Sequence, residues 1–208
     1  MLLFVKEEKR LEAEAKFEVP TWHQIYSMLL SQAEKIRKSS FKPDGIIAVS
    51  RGGWLPARVL SDLLETSVGN VGVEFYLGVA ETKNEPVLAQ SVSMVVAGKK
   101  VLIVDDVADT GKSLKLVKEH ILQQGAKEAR IATIYSKPWS MVKPDYYERE
   151  TRLWVVFPWE IKEAVRKIVE KRRDKSAIDI ETAKLVKAGL PKQLMKRFLK
   201  EILEERPC

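Results

Sequence analysis

The sequence predicts an α/β protein in which a mostly parallel β-sheet is flanked by helices and followed by a small helical domain. Short apolar runs bounded by turn residues recur at 46–49, 101–104 and 130–135, and amphipathic segments lie between them. Strands that alternate with helices are typical of a parallel sheet. After Pro158-Trp159 the apolar runs stop and charged segments with helical signals follow, which predicts a C-terminal three-helix domain.

In the first half of the chain, a helix is predicted after Pro20-Thr21, because apolar residues recur there at helical spacing until residue 36. The run 46–49 is predicted as a buried parallel strand. A tight loop at 50–53, a helix at 55–64 and a second strand at 71–77 follow it. Residues 79–91 are polar and contain Pro86, which predicts an exposed loop with a hairpin arm at 92–96 beside it.

In the second half, strands are predicted at 100–104, 130–135 and 153–157, with a loop at 105–113 and a helix at 114–124. Helices are then predicted at 160–173, from Asp179 as N-cap to residue 187, and from Pro191 to about residue 204. These patterns divide the chain into an N-terminal arm at 1–18, a core at 19–158 and the helical domain at 159–208.

Composition excludes several classes of site. No apolar run approaches the roughly 20 residues that span a bilayer, so the sequence predicts no membrane segment and a cytoplasmic protein. The single cysteine, Cys208, allows no internal disulfide, and the two histidines are far apart, so no Cys/His metal site is expected.

The net charge of +7 arises mostly in 159–208, which holds 14 basic and nine acidic residues. Nucleic-acid binding and attraction of a phosphorylated substrate are functional interpretations of this excess. A solvated helical surface is favoured over both, because Phe198 is the only aromatic residue interleaved with the basic ones.

The most informative stretch is 101–113, which reads Val-Leu-Ile-Val-Asp-Asp-Val-Ala-Asp-Thr-Gly-Lys-Ser. It places Asp105 and Asp106 at the carboxyl end of a strand, where α/β folds bind ligands. The Thr-Gly-Lys-Ser turn into a helix provides backbone N–H groups for a phosphate. A P-loop is excluded because that pattern needs glycine at the position of Asp106. Carboxylates followed by a phosphate cradle suit a ribose 5-phosphate.

This stretch resembles the phosphoribosyl pyrophosphate signature of type I phosphoribosyltransferases. The resemblance implies that Asp105 and Asp106 hold the ribose 2′- and 3′-hydroxyls. It implies that the 5′-phosphate is bound by Val107, Ala108, Asp109, Thr110, Gly111, Lys112 and Ser113.

Two further segments extend the resemblance. The pyrophosphate loop of the family is matched by Ser50, Arg51, Gly52 and Gly53, with a cis bond between Ser50 and Arg51 implied. The segments 135–138 and 154–160 resemble the base-binding end of hypoxanthine, guanine and xanthine enzymes. There Lys137 is implied as the donor to purine O6, Trp154 as the stacking ring, and the backbone of Val155 and Val156 as the reader of the base edge.

The resemblance also implies the chemistry. Asp109 is expected to act as the general base that faces purine N7, with Mg²⁺ near Asp105 and Asp106 and with Glu160 assisting a second metal ion. The loop at 79–91 resembles a flap that closes over the reaction. A purely structural role for Asp109, capping the helix near Thr110, is compatible with that role.

The expected activity is therefore purine salvage, in which phosphoribosyl pyrophosphate and a purine base give a nucleoside 5′-monophosphate and pyrophosphate, in a homodimer. Asp109 and Lys137 favour a 6-oxopurine, whereas the helical extension resembles an archaeal branch that serves adenine. A third alternative is a regulator that senses phosphoribosyl pyrophosphate and binds nucleic acid. The presence of Lys137, Trp154 and Asp109 together argues against it.

Overall fold

The computed structural model describes residues 16–76, 85–172 and 174–205. In chain order the elements are β1 (Phe17–Glu18), α1 (Trp22–Lys38), β2 (Gly45–Ser50), α2 (Trp54–Leu63), β3 (Val68–Tyr76), β4 (Glu85–Gln90), β5 (Lys100–Ala108), α3 (Lys112–Gln123), β6 (Glu128–Ser136), β7 (Tyr146–Glu150), β8 (Trp154–Val155), α4 (Ile161–Lys171), α5 (Lys175–Lys187) and α6 (Lys192–Glu204). They form two compact units, one at 25–152 and one that joins the residues before 25 to those after 152.

The larger unit contains a six-stranded sheet in the order β4-β3-β2-β5-β6-β7. All neighbours are parallel except β3 and β4, which are antiparallel. The central strands β2, β5 and β6 are fully apolar along most of their length, and their residues are buried because both faces of a parallel sheet are covered. The α/β fold with a mostly parallel sheet is therefore confirmed.

Register brings the carboxyl ends of the central strands together. Ala48 of β2 lies beside Val104 of β5, and Val104 lies beside Ala132 of β6. Asp105 is then level with Thr133, and Ala108 with Ser136. The loops that follow β2, β5 and β6 consequently leave the sheet at one edge, which is where a ligand site is expected in this class of fold.

Strand β5 corrects the prediction that 105–113 is a loop. The strand continues through Asp105 and Asp106 to Ala108, because Asp105, Val107 and Ala108 keep their ladder positions beside β6. The loop between β5 and α3 is reduced to 109–111. The first carboxylates of the signature are thus held by a strand, and Val107 and Ala108 are strand residues as well.

Two edge strands differ from the sequence prediction. β4 lies where a polar loop was expected at 79–91, and 92–96 forms no strand. Residues 79–84 of the expected flap, and residue 77 at the end of the predicted second strand, lie outside the described residues. β7, with the sequence Tyr-Tyr-Glu-Arg-Glu, was not predicted. Both strands pair on one side only and bury few side chains, so neither shows the apolar run by which central strands are recognised.

The second unit contains a two-stranded parallel sheet of β1 and β8 and the three helices α4, α5 and α6. The strand expected at 153–157 is reduced to two residues and pairs with β1, not with the main sheet. The core of this unit includes Phe17 and Val156 together with apolar residues of all three helices. The described part of the N-terminal arm, 16–18, therefore packs with the C-terminal helices.

The caps of the C-terminal helices also differ in one position. Asp174 caps α5, because its side chain accepts a hydrogen bond from the N–H of Ala177, and Asp179 lies inside the helix. The acidic side chain nearer to the break after α4 serves as the N-cap. In the described parts of the chain, no helix combines the length and the apolar character that crossing a membrane requires.

Candidate active site

The carboxylate pair lies at the end of β5. The Asp105 carboxylate accepts a hydrogen bond from the N–H of Asp106 at 2.9 Å. Burial raises the pKa of Asp105 well above its ordinary value, and the charge of Asp106 raises it further. The side chain of Asp106 is itself buried. Two adjacent carboxylates thus meet at the sheet edge, where a sugar hydroxyl or a cation would relieve their repulsion.

The loop Ser50-Arg51-Gly52-Gly53 turns directly against this pair. A Cβ atom at Gly52 would lie 2.5 Å from Oδ2 of Asp106, and one at Gly53 would lie 2.2 Å from the carbonyl oxygen of Val104. Only glycine permits this approach. The bond between Ser50 and Arg51 is cis, as the resemblance implies. The predicted pyrophosphate loop therefore lies against the end of β5 that carries the carboxylates.

The loop is further held by the start of α2. The indole N–H of Trp54 donates to Oγ of Ser50 at 2.5 Å, and the N–H of Trp54 donates to the carbonyl of Arg51 at 3.2 Å. Arg51 is exposed, whereas Gly53 is buried. The side chain of Arg51 is consequently accessible to an anion, next to backbone that is fixed on both sides.

The phosphate-type loop connects β5 to α3. Gly111 is the N-cap of α3 and has a φ of 80°. A Cβ atom there would lie 2.7 Å from Oγ of Ser140 and 2.8 Å from the N of Val142. Glycine is thus needed for both conformation and space. Asp109 and Thr110 are exposed. The N–H of Lys112, the first residue of α3, donates to Oγ1 of Thr110 at 3.4 Å, whereas the Asp109 carboxylate accepts a hydrogen bond from the indole of Trp139, so Asp109 does not have the helix-capping role considered from the sequence.

The turn after β6 joins this loop through backbone hydrogen bonds. The N–H of Lys137 donates to the carbonyl of Ala108 at 2.9 Å, and the N–H of Met141 donates to the carbonyl of Thr110 at 3.0 Å. Lys137 is buried, with 7% exposure. The structure therefore brings Lys137 beside the loop that carries Asp109, as expected for groups that act on one substrate.

Trp139 is a site residue that the sequence reasoning missed. Its indole N–H donates to Oδ1 of Asp109 at 3.0 Å. Its ring lies under the ammonium group of Lys137, with 5.6 Å from Nζ to the ring centroid. The only hint of this role in the sequence was an aromatic residue two positions after Lys137, in a turn that contains proline.

One ion pair links the phosphate-type loop to the edge of the sheet. Nζ of Lys112 lies 2.7 Å from Oε1 of Glu85, the first residue of β4. Both side chains are partly exposed, so the pair contributes little stability in water. Lys112 is thus held close to the segment that was predicted to be the flap, of which 85–90 is strand.

The remaining predicted base-site residues belong to the second unit. The ring of Trp154 packs on Phe17, with centroids 5.5 Å apart and planes at 43°. The N–H of Val156 donates to the carbonyl of Glu18 at 2.8 Å, so it is engaged in the two-stranded sheet. Backbone groups alternate in direction along a strand, so those of Val155 face away from β1. The backbone donor of Val156 is therefore engaged within this unit, and the reading of a base edge by the backbone of Val155 and Val156 stays a prediction.

The predicted metal ligands are not found as a single cluster. The Glu160 carboxylate accepts a hydrogen bond from the N–H of Phe157 at 3.3 Å, at the start of α4. Within the residues that the structure describes, no group of three or more His, Cys, Asp or Glu side chains is arranged for a metal ion. Asp105 and Asp106 supply oxygen ligands of the kind that Mg²⁺ prefers, and these leave most of its coordination to substrate and water.

Comparison with known proteins identifies the family. The phosphoribosyl transferase domain model matches residues 19–166. Xanthine-guanine phosphoribosyltransferase of Gluconobacter oxydans is 31% identical over 145 residues, which cover 67% of this chain and 82% of that protein. The protein of that name in Cereibacter sphaeroides is 30% identical over 162 residues, which cover 74% and 92%.

A solved structure agrees with these relatives. The crystal structure of purine phosphoribosyltransferase from Pyrococcus horikoshii Ot3 is 42% identical to this chain, with a TM-score of 0.63. The match covers 69% of this chain and 94% of that one. The signature lies at the end of β5, the glycine loop follows β2, and the family match covers most of the chain. The chain therefore belongs to the type I purine phosphoribosyltransferases.

Proposed function

We propose that this enzyme transfers the 5-phosphoribosyl group of phosphoribosyl pyrophosphate to a 6-oxopurine, either hypoxanthine, guanine or xanthine. The observation that carries the choice of base is the junction of Asp109, Lys137 and Trp139 at the carboxyl ends of β5 and β6. A carboxylate and an ammonium group held together complement the N7–H and O6 of a 6-oxopurine. The names of the relatives from Gluconobacter and Cereibacter support the same class of base.

The sugar and phosphate groups are assigned by local chemistry. Asp105 and Asp106 bind the ribose 2′- and 3′-hydroxyls, since carboxylates accept hydrogen bonds from hydroxyls. The loop that ends in Gly111 donates backbone N–H groups at the start of α3 to the 5′-phosphate. The pyrophosphate is bound by the backbone of Gly52 and Gly53. Arg51, accessible beside them, adds a forked cation.

Mg²⁺ is the metal that fits this site. The carboxyl groups of Asp105 and Asp106 are hard oxygen ligands. Burial, and then the charge of Asp106, raise the pKa of Asp105, and a divalent cation would favour its ionised form. When bound, Mg²⁺ neutralises charge on the pyrophosphate leaving group. Glu160 is a weaker candidate ligand, because its carboxylate already accepts a hydrogen bond at the start of α4.

The reaction exchanges one bond at ribose C1′ for another. Purine N9 bonds to C1′ while the bond from C1′ to pyrophosphate breaks and its electron pair leaves with the pyrophosphate. Asp109 accepts the proton that the purine loses at N7. By the resemblance to the family, Lys137 donates to O6, Trp154 stacks on the base, and the backbone of Val155 and Val156 reads the base edge.

Four broader expectations belong to the same proposal. The enzyme is proposed to be a cytoplasmic homodimer that binds nucleic acid only weakly, and the helical domain is proposed to extend over 159–208. Light scattering tests the dimer. Binding to nonspecific DNA at several salt concentrations tests the expectation of weak nucleic-acid binding. A nucleic-acid-binding regulator would bind with a steep salt dependence.

Pyrophosphate release tests the activity directly. Enzyme, Mg²⁺ and phosphoribosyl pyrophosphate are combined with hypoxanthine, guanine, xanthine or adenine in separate reactions. Turnover with any of the first three supports the O6 contact of Lys137. Turnover with adenine alone would contradict the choice of base. Absence of turnover with all four would favour the regulator.

The role of Asp109 has its own variant. Asp109→Ala is expected to lower kcat by roughly 100-fold or more, the usual contribution of a general base. Its affinity for phosphoribosyl pyrophosphate should change far less, because backbone groups of the loop bind the phosphate. Equal losses of turnover and affinity would show that Asp109 binds substrate without acting as the base.

A further inference from the structure

We infer that Trp139 is a positioning residue that holds Asp109 and Lys137 in a fixed relation to each other. This inference rests on the proposed function of those two groups. One indole contacts both of them: its N–H binds the carboxylate of Asp109, and its ring face lies 5.6 Å from the ammonium group of Lys137. The two groups that act on the purine are thus linked through one rigid side chain.

The backbone places Trp139 for this task. The N–H of Ser140 donates to the carbonyl of Lys137 at 3.0 Å, which closes a turn with Pro138 and Trp139 at its centre. Proline at the first central position pre-sets the backbone of such a turn. The hydroxyl of Ser140 donates to the carbonyl of Val142 at 2.9 Å, which continues the ordered segment.

The same turn is fixed to the loop of Asp109. The contact between Gly111 and Ser140 is close enough to exclude a Cβ atom, and the N–H of Met141 binds the carbonyl of Thr110. The indole therefore approaches the Asp109 carboxylate from backbone that cannot drift relative to it. A side chain with few rotatable bonds on such backbone transmits this order to the group that it contacts.

Exposure explains why the bond from Trp139 is needed. Asp109 is an exposed loop residue, so burial does not restrict its side chain to one orientation. Trp139 is also exposed, at 51%. The indole bond to Oδ1 restricts the rotation of the carboxylate and leaves Oδ2 for the proton of the purine. Under Lys137, the electron-rich face attracts the ammonium group without using any of its three N–H donors.

Two substitutions separate the contacts. Trp139→Phe keeps an aromatic face for Lys137 and removes the donor to Asp109, so kcat should fall about tenfold while the KM for hypoxanthine stays within about twofold. Trp139→Leu removes both contacts, so it should also raise the KM for hypoxanthine by about fivefold. The KM for phosphoribosyl pyrophosphate should be unchanged in both variants.

A double-mutant cycle distinguishes positioning from general support of the fold. If Trp139 acts through Asp109, Trp139→Phe should change kcat by less than about twofold in the Asp109→Ala background. Trp22→Phe is the matched control, because Trp22 is similarly exposed, at 57%, and its ring packs on Trp159. It should leave kcat and KM unchanged.

The possible results lead to different conclusions. Normal kcat in Trp139→Phe, or the same tenfold loss in the Asp109→Ala background, overturns the positioning role. Equal KM values for Trp139→Phe and Trp139→Leu overturn the part that concerns Lys137. Full turnover of Asp109→Ala overturns the proposed base itself, and with it the inference. Slow Asp109→Ala with normal Trp139→Phe overturns only the inference.

Discussion

Replacing Gly52 by alanine tests how the pyrophosphate loop and the carboxylates depend on each other. Gly52 is not among the glycines with a positive φ, so alanine imposes no backbone strain there. The new Cβ atom would lie 2.5 Å from Oδ2 of Asp106 and 2.7 Å from its Cγ. Because these atoms belong to a side chain, Asp106 rather than the backbone must move.

The displacement can be worked out from the contact distances. Ordinary van der Waals contact of a Cβ atom begins at 3.4 Å, so the Asp106 carboxylate must retreat by about 0.9 Å. Misplacement of a substrate-binding group by about 1 Å can cost roughly 100-fold in rate. The free energy of unfolding should change by less than about 1 kcal/mol, since alanine also restricts the unfolded chain.

The assay is steady-state pyrophosphate release at saturating hypoxanthine with phosphoribosyl pyrophosphate varied, beside urea unfolding of the same samples. Gly98→Ala is the control: its Cβ atom meets nothing within 4 Å, and its φ of 73° should cost about 1 kcal/mol of stability without loss of rate. If Gly52→Ala kept kcat/KM for phosphoribosyl pyrophosphate within threefold of the original, the placement of Asp106 would not matter for binding the ribose.

Two further predictions concern stability. Gly53→Ala should lower the free energy of unfolding by about 3 kcal/mol, because its Cβ atom would lie 2.2 Å from the carbonyl oxygen of Val104 and 2.8 Å from the N of Val49, and backbone atoms cannot rotate away; a urea midpoint equal to that of the unsubstituted protein would contradict this. The hydrogen bond from Lys16 lowers the pKa of Glu181, so its stabilisation is present above about pH 4.5 and is lost as the pH falls through the lower folded value. Glu181→Gln should therefore cost about 1–2 kcal/mol at pH 7 and little at pH 3 in thermal unfolding, and equal losses at both pH values would refute the charge-based explanation.

The groups proposed to bind ribose and phosphate could be named from the sequence because they lie in one contiguous stretch. Asp105, Asp106 and the loop through Gly111 follow an apolar strand, and the chain alone fixes their spacing. The extension of β5 to Ala108 was not predictable, because polar residues interrupt the apolar run by which a buried strand is recognised. Asp105 remains in the strand because it pairs with β6. The loop after β5 was therefore predicted at the right place, but the predicted range 105–113 is longer than the observed 109–111.

Contacts between distant segments escaped the sequence for a different reason. Trp139 contacts a carboxylate 30 positions earlier, and no periodic pattern encodes that approach. Phe17 and Trp154 lie at opposite ends of the chain, yet β1 pairs with β8 and joins the arm to the C-terminal helices. The arm was predicted as a separate segment because the two residues of β1 are too few to show the alternation of a strand.

The amino-acid sequence was enough to predict the central strands, the class of fold and the family, because buried strands and glycine turns leave local patterns. The tertiary contacts were needed to show which glycine lies against Asp106 and which aromatic ring joins Asp109 to Lys137. These features depend on the register and approach of segments far apart in the chain. Such long-range packing is set by the whole fold and leaves no repeating trace in the residues that take part.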